Sequence, residues 1–345
     1  MRVVSVVGNR PQFIKSAPLS AALQDAGIEE TVLHTGQHYD PELSQVFFDE
    51  LGLREPRNLD LRTADVEAMR PRLQKAIEGT APDAVLVYGD TNSTLAGARA
   101  ASAAGLPVAH VEAGMRSGDL SMPEEHNRIE VDRTAAVLLC PDERSADTLR
   151  GEGVPGRIEV VGDVMADATR LFLPVARGRA PRVDEPYAVL TLHRQANTEP
   201  EQLRRLLAAV DATGWTFVFP VHPRTRHVLD DQAIPVGSHV GAIEPLGYLE
   251  MLDLLAGSTR VVTDSGGLQK EAYWLRIPCI TLRPSTEWVD TVLVGANTLV
   301  DPADPSGLGL ALERASFPEA APPLYGDGRA SEKVAAALLA SLSAA

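Results

Sequence analysis

The sequence has only two cysteines, only four lysines, and no run of 18 apolar residues. Cys140 in "LLC" and Cys279 in "PCI" sit in apolar, strand-like settings where a thiol acts as a small hydrophobe. Two such residues make no disulfide framework, and a reducing compartment is expected. Without a long apolar run there is no spanning helix, and the five or six apolar residues of "MRVVSVVGNRP" are too few for a signal segment. The expectation is a cytoplasmic protein. Several chemical signatures are missing as well. The histidines at 34, 38, 110, 126, 193, 222, 227 and 239 show no HExxH or Cys/His ligand spacing. No GxGxxG opens the first helix, and there is no Gly-x-x-x-x-Gly-Lys loop and no Gly-x-Ser-x-Gly. Zinc hydrolase, dehydrogenase, ATPase and serine hydrolase all lose ground, and neither metal nor cofactor is expected. Positive charge is also short: the formal net charge is −15, which repels polyanions at long range and argues against nucleic acid and anionic membrane as partners. A small anionic ligand stays open, because a local group of Arg and His can reverse the field.

What is present is a rhythm. Short β-branched runs, "RVVSVVG", "TVLHTG", "AVLVYGD", "PVAHVEAG" and "AVLLCPD", alternate with Ala- and Leu-rich stretches of helical period in the first half. "YAVLTLH", "TFVFPVH", "RVVTDSG" and "PCITLR" repeat it in the second. Strand, helix, strand in succession implies parallel sheets covered on both faces. At 345 residues the chain exceeds one ordinary core. The expected division is a first domain over 1–169, a Pro-containing linker over 170–186, a second domain over 187–330, and a last helix over 331–345 docking back on the first.

Ligands of open α/β sheets bind at the carboxyl ends of strands, and charged residues gather there. In "TDSGG", Asp264 and Ser265 are good N-cap residues, while Gly266 and Gly267 leave the first-turn amides unshielded, which makes a candidate anion seat. Arg10 and Lys15 follow the first strand, His193 and Arg194 the first strand of the second half, and His222 and Arg224 the next. Carboxylates take the equivalent places in the first half: Asp90, Glu112, Glu124 and Glu125. Glu112 interrupts an apolar run, where a carboxylate is costly unless paired or functional. Acids facing a phosphate pocket point to elimination or proton abstraction.

Ten blocks in order, "GNRPQFIKSAPL", "HTGQHYD", "GDTNSTLAGA", "HVEAGMRSGD…MPEEHNRIEVDR", "VVGDV", "TLHRQAN", "PVHP", "EPLGYLEML", "TDSGGLQKEA" and "LRPSTEW…VGANTLV", resemble the non-hydrolysing UDP-N-acetylglucosamine 2-epimerases. The resemblance implies an α/β, glycosyltransferase-B-like fold, with two Rossmann-type doubly wound domains facing across a cleft. It implies interconversion of UDP-GlcNAc and UDP-ManNAc without a cofactor, in a homodimer. Asp90, Glu112, Glu124, Arg128, His193 and Lys15 would carry the chemistry. Arg10, Lys15, His222, Ser265, Gly266, Gly267, Glu271 and Arg283 would bind substrate. Gln37, His38 and Arg62 match a region where UDP-GlcNAc acts as an allosteric activator. The sequence departs from the pattern at Asn9 and Gln12 (usually Thr and Glu), at Met251, at Lys270 (usually Glu) and at Trp288 (commonly Arg). Those departures keep three other readings in view: a hydrolysing 2-epimerase, an epimerase of UDP-2,3-diacetamido sugars or their uronic acids, and a silent UDP-sugar sensor.

Overall fold

A computed structural model describes residues 1–37, 56–183 and 185–342. Within it the chain forms two units, Met1–Arg170 with Tyr325–Ala345, and Leu171–Leu324. The stretch 170–186 is helical through Ala176, as part of the helix Val164–Ala176. No described helix is long and apolar enough to cross a membrane.

The first unit holds β1 (Arg2–Val7), β2 (Glu29–His34), β3 (Arg57–Asn58), β4 (Ala84–Tyr88), β5 (Val108–Val111), β6 (Val137–Cys140) and β7 (Arg157–Val160). They pair in parallel in the order β3-β2-β1-β4-β5-β6-β7. The second unit holds β8 (Ala188–Thr191), β9 (Phe217–Pro220), β10 (Val240–Ile243), β11 (Arg260–Thr263), β12 (Cys279–Leu282) and β13 (Asn297–Val300), all parallel in the order β10-β9-β8-β11-β12-β13. Both are doubly wound Rossmann-type sheets, as the strand-helix rhythm predicts. Central strands such as β4, β6, β8 and β12 are buried at every residue, which is why they read as unbroken apolar runs.

In each sheet the strand order reverses once, between β1 and β4 in the first unit and between β8 and β11 in the second. There, successive connections leave to opposite sides and open a crevice at the strand ends. The turns at those two places carry most of the residues singled out above. The tail belongs to the first unit: the helix Ala330–Leu342 packs on the helix Arg10–Asp25. Its first amides, of Ala330 and Ser331, donate to the Asp167 carboxylate at 3.0 and 2.9 Å.

Candidate active site

At the reversal in the first unit, β1 runs through Gly8 to Asn9, whose side chain accepts the Gln12 N–H (3.1 Å) and caps the helix Arg10–Asp25. Beside it, β4 ends at Tyr88, and Gly89 (φ +62°) turns the chain to Asp90 before Thr91 caps the helix Asn92–Ala103. Gln12 clasps the two turns. Its side-chain oxygen accepts the Gly8 N–H (2.7 Å), and its nitrogen donates to the Tyr88 carbonyl (2.7 Å) and to Thr94 Oγ1 (2.9 Å). The Tyr88 carbonyl also accepts the Thr94 hydroxyl (2.6 Å), and the Gln12 amide adds a second donor to it that a carboxylate lacks. The Gln-for-Glu departure is therefore explained by a buried strand-end clasp, with Gln12 only 2% exposed.

Four charged groups gather at Gly89. Lys15 pairs with Glu112, and Arg128 pairs with Asp90. A Cβ placed on Gly89 would lie 3.1 Å from Glu112 Oε2 and 3.7 Å from Lys15 Nζ. Glu112 follows β5 with φ +67°, a conformation that costs a non-glycine residue about 1–3 kcal/mol and is tolerated where function asks for it. Burial works against the Lys15 ammonium, but Glu112, with Asp163 and Asp90 behind it, more than offsets this and raises its pKa. Lys15 therefore stays a cation beside the carboxylates.

Glu124 and Arg10 are exposed residues in the first turns of their helices. Glu125, its neighbour, is instead buried. It accepts the Ser117 and Gly118 amides at 3.0–3.1 Å, the Ser117 hydroxyl at 2.9 Å and Arg128 Nη1 at 3.0 Å. Two adjacent glutamates point about 100° apart on a helix, and the letters "EE" do not say which faces in.

In the second unit, Ser265 alone caps the helix Gly266–Trp274, its hydroxyl accepting the Leu268 N–H at 3.5 Å. Asp264 does something else. Fully buried, it reaches to the end of β8 and accepts the N–H groups of His193 and Arg194 (both 3.0 Å) and the Asn197 side chain (3.1 Å), with His193 Nδ1 at 3.2 Å. The N-cap reading of Asp264 is corrected: it lies between the end of β11 and the cap Ser265, its N–H still bonds the Thr191 carbonyl of β8 (3.3 Å), and its side chain crosses to the neighbouring turn. His193 and His222 rings lie 5.9 Å apart. His222 Nδ1 accepts the Arg224 N–H (3.2 Å). Burial, together with His193 and Arg224, pushes its pKa down, leaving a neutral ring whose Nε2–H can donate. A Cβ on Gly267 would touch Ser265 Oγ at 3.9 Å, and the nearest atom to a Cβ on Gly266 would be Glu287 Oε1 at 2.6 Å. Glu287 pairs with Arg283 at 2.8 Å, and Glu271 is buried on the inner face of the same helix.

The departures at 270 and 288 prove to be one change. The Lys270 ammonium lies 4.1 Å over the Trp288 ring and 5.6 Å from that of Trp274, with both Lys270 and Trp288 nearly buried. A cation on an aromatic face is a favourable contact.

Of the three residues expected at a second nucleotide site, Gln37 accepts the Ser93 amide (3.0 Å) and hydroxyl (2.6 Å) with its side-chain oxygen. Arg62 is exposed and pairs with Asp60 at 2.7 Å. His38 lies outside the described residues. No cluster of three His, Cys, Asp or Glu side chains is placed to hold a metal among the described residues.

Comparison with known proteins places this geometry. The family described as UDP-N-acetylglucosamine 2-epimerase matches residues 21–339. The chain is 43% identical to a UDP-N-acetylglucosamine 2-epimerase homolog of Methanococcus maripaludis, over 87% of this chain and 88% of that one. It is 40% identical to the UDP-2,3-diacetamido-2,3-dideoxy-D-glucuronate 2-epimerase of Pseudomonas aeruginosa, over 97% and 98%. The crystal structure of Methanocaldococcus jannaschii UDP-GlcNAc 2-epimerase in complex with UDP-GlcNAc and UDP is similar at TM-score 0.83 and 34% identity, covering 99% of this chain and 100% of that one.

Proposed function

This chain belongs to the UDP-N-acetylglucosamine 2-epimerase family, and we propose that it is a non-hydrolysing epimerase that interconverts UDP-GlcNAc and UDP-ManNAc. A base removes the C2 proton, the C2–H electron pair becomes the C1–C2 double bond, and UDP departs anti with the C1–O electrons. Re-addition of UDP to the 2-acetamidoglucal, with a proton delivered to the other face of C2, gives the epimer. Glu112, Asp90 and Glu124 form the proton-transfer set, and Lys15 and Arg128 hold the first two as anions able to accept a proton. In the second unit, the Ser265 hydroxyl and the amides of Gly266 and Gly267 receive the diphosphate at the positive end of their helix, with Glu271 on the ribose. His193, held by Asp264, and neutral His222 donate to the leaving group, joined by Arg283; Arg10 serves the sugar phosphate from the first unit. What carries the reading is the chemistry found at the two sheet reversals: carboxylate–cation pairs at one, an unshielded amide turn with two histidines at the other.

Substrate turned over in D2O tests it. Deuterium entering C2 of both epimers with UDP still attached is the expected result. Free N-acetylmannosamine would establish the hydrolysing reaction instead, and bound substrate without C2 deuterium would leave a sensor. A second reading has its own support in the 40% identity to the diacetamido-glucuronate epimerase across nearly the whole chain. Offering both UDP-sugars to the enzyme and comparing kcat/KM decides between them.

A further inference from the structure

His110 lies on β5, fully buried, with both ring nitrogens engaged: Nδ1 is 2.7 Å from Asp132 Oδ1 and Nε2 is 2.7 Å from the Gly89 carbonyl. A carbonyl oxygen only accepts, so Nε2 carries a hydrogen. The other nitrogen is decided by Asp132, also fully buried, whose second oxygen accepts the Gly114 N–H (3.1 Å) and Arg116 Nη1 (2.7 Å). With an amide and a guanidinium both donating to that oxygen, Asp132 is held as the anion despite its burial. An ionised carboxylate has no hydrogen to give, so Nδ1 must donate as well. Glu152 takes the rest of the Arg116 guanidinium at 2.8 Å, and burial pushes the thiol of Cys140, which also faces Asp132, Asp142, Glu143 and Arg150, up to about 12. Arg116 thus meets two carboxylates, Asp132 and Glu152, and the ring of His110 meets the first of them.

The cluster ends at the reacting groups. Through His110 it holds the carbonyl of Gly89, the residue that abuts Glu112 and Lys15 and precedes Asp90. Asp132 also ties Gly114 and Arg116, the far end of the turn that Glu112 opens at positive φ. Asp132 sits one helical turn after Arg128, the partner of Asp90, while Asn127 donates to the Asp90 carbonyl at 2.9 Å. One helix thus fixes both carboxylate-bearing turns, one of them through a charged ring.

We propose that His110 is a positioning residue held as a buried imidazolium, which with Asp132 locks the Gly89–Asp90 and Glu112–Arg116 turns in register for proton transfer at C2. The inference rests on the epimerase reading, and its test separates the two. In full-length protein labelled with 15N-histidine, both ring nitrogens of His110 are expected to carry a slowly exchanging hydrogen at neutral pH, the signals being assigned by their loss in His110→Asn. Finding Nδ1 without a hydrogen overturns the proposal. In Asp132→Asn the amide can donate to Nδ1, so the ring becomes neutral while its bond to Gly89 survives. The expected outcome is loss of the Nδ1 hydrogen and a fall in kcat of about tenfold or more with KM changed less than about twofold. An unchanged kcat, or a loss confined to KM, would also sink it. If the wild-type protein leaves no deuterium at C2, the epimerase reading fails by itself, with the state of His110 still readable by NMR.

Discussion

Gly266 shows how much can turn on one absent side chain. Its amide faces the turn that should receive a phosphate, and the atom nearest to an added Cβ is the end of a flexible side chain, Glu287 Oε1, which can swing away. Gly266→Ala should therefore leave the thermal midpoint nearly unchanged while weakening UDP binding by about tenfold, or 1.4 kcal/mol, because the methyl covers the amides. Calorimetric titration with UDP beside a thermal melt checks it; equal loss in both would mean the glycine serves the fold rather than the ligand. Other residues show where letters stop being informative. Ser265, Gly266 and Glu112 stand out by type and place: small residues after a strand, an acid inside an apolar run. Asp264 does not, since an acid beside a helix start reads as a cap whether it caps or reaches elsewhere, and Asp132, in the last turn of its helix, reads as one more surface acid. Lys270 and Trp288, eighteen positions apart, look like two unrelated departures until the ammonium is seen over the ring.

Among elements, the strands that escape a reading of apolar runs are β3, β7, β10 and β13. All four are sheet edges. An edge strand pairs on one side only and is partly wet; β7, "RIEV", has no fully buried residue, so the continuous Val/Ile/Leu signature of a central strand never develops. The helix Pro123–Thr134 shows a different dependence. Burial alone would raise the Glu125 pKa, but the Ser117 and Gly118 amides, the Ser117 hydroxyl and Arg128 more than offset it, and the folded-state pKa falls below the ordinary 4.5. A carboxylate whose pKa is depressed by folding contributes stability above its unfolded value, and that contribution is lost as pH falls through the folded one. Glu125→Gln should accordingly lower the melting temperature at neutral pH and lower it less, or not at all, near about pH 3. Melts across that range measure the difference; a constant offset would mean that the loss is one of packing.

For the whole molecule, the order along the chain differs from the order of the cores. The first unit is completed by residues from the far end: Tyr325 accepts the Asp163 N–H at 2.7 Å, and the helix Ala330–Leu342 buries Val334 and Leu338 completely. Those two side chains alone stabilise by about 3–6 kcal/mol, and the helix they belong to packs on the one that carries Lys15. A chain ending at Leu324 should lose hydrogen-exchange protection in the strands of the first unit while β8 to β13 keep theirs, with turnover falling as Lys15 loses its support. Uniform loss in both sheets would show that the tail stabilises more than its own unit.

The sequence by itself determined the sheet class, the central strands, the strand-end turns and the residue types available for proton transfer and phosphate binding, because burial on both faces writes a strand as an apolar run and leaves its polar residues at the ends. Only the tertiary structure decided that Lys15 meets Glu112, that Arg128 meets Asp90, that Gln12 and Asp264 are clasps, and that His110 and Asp132 form one hydrogen-bonded pair. Those partners come from different strands and helices, and hydrogen bonding over 2.7–3.2 Å depends on where folding brings atoms together, which no local pattern of residues records.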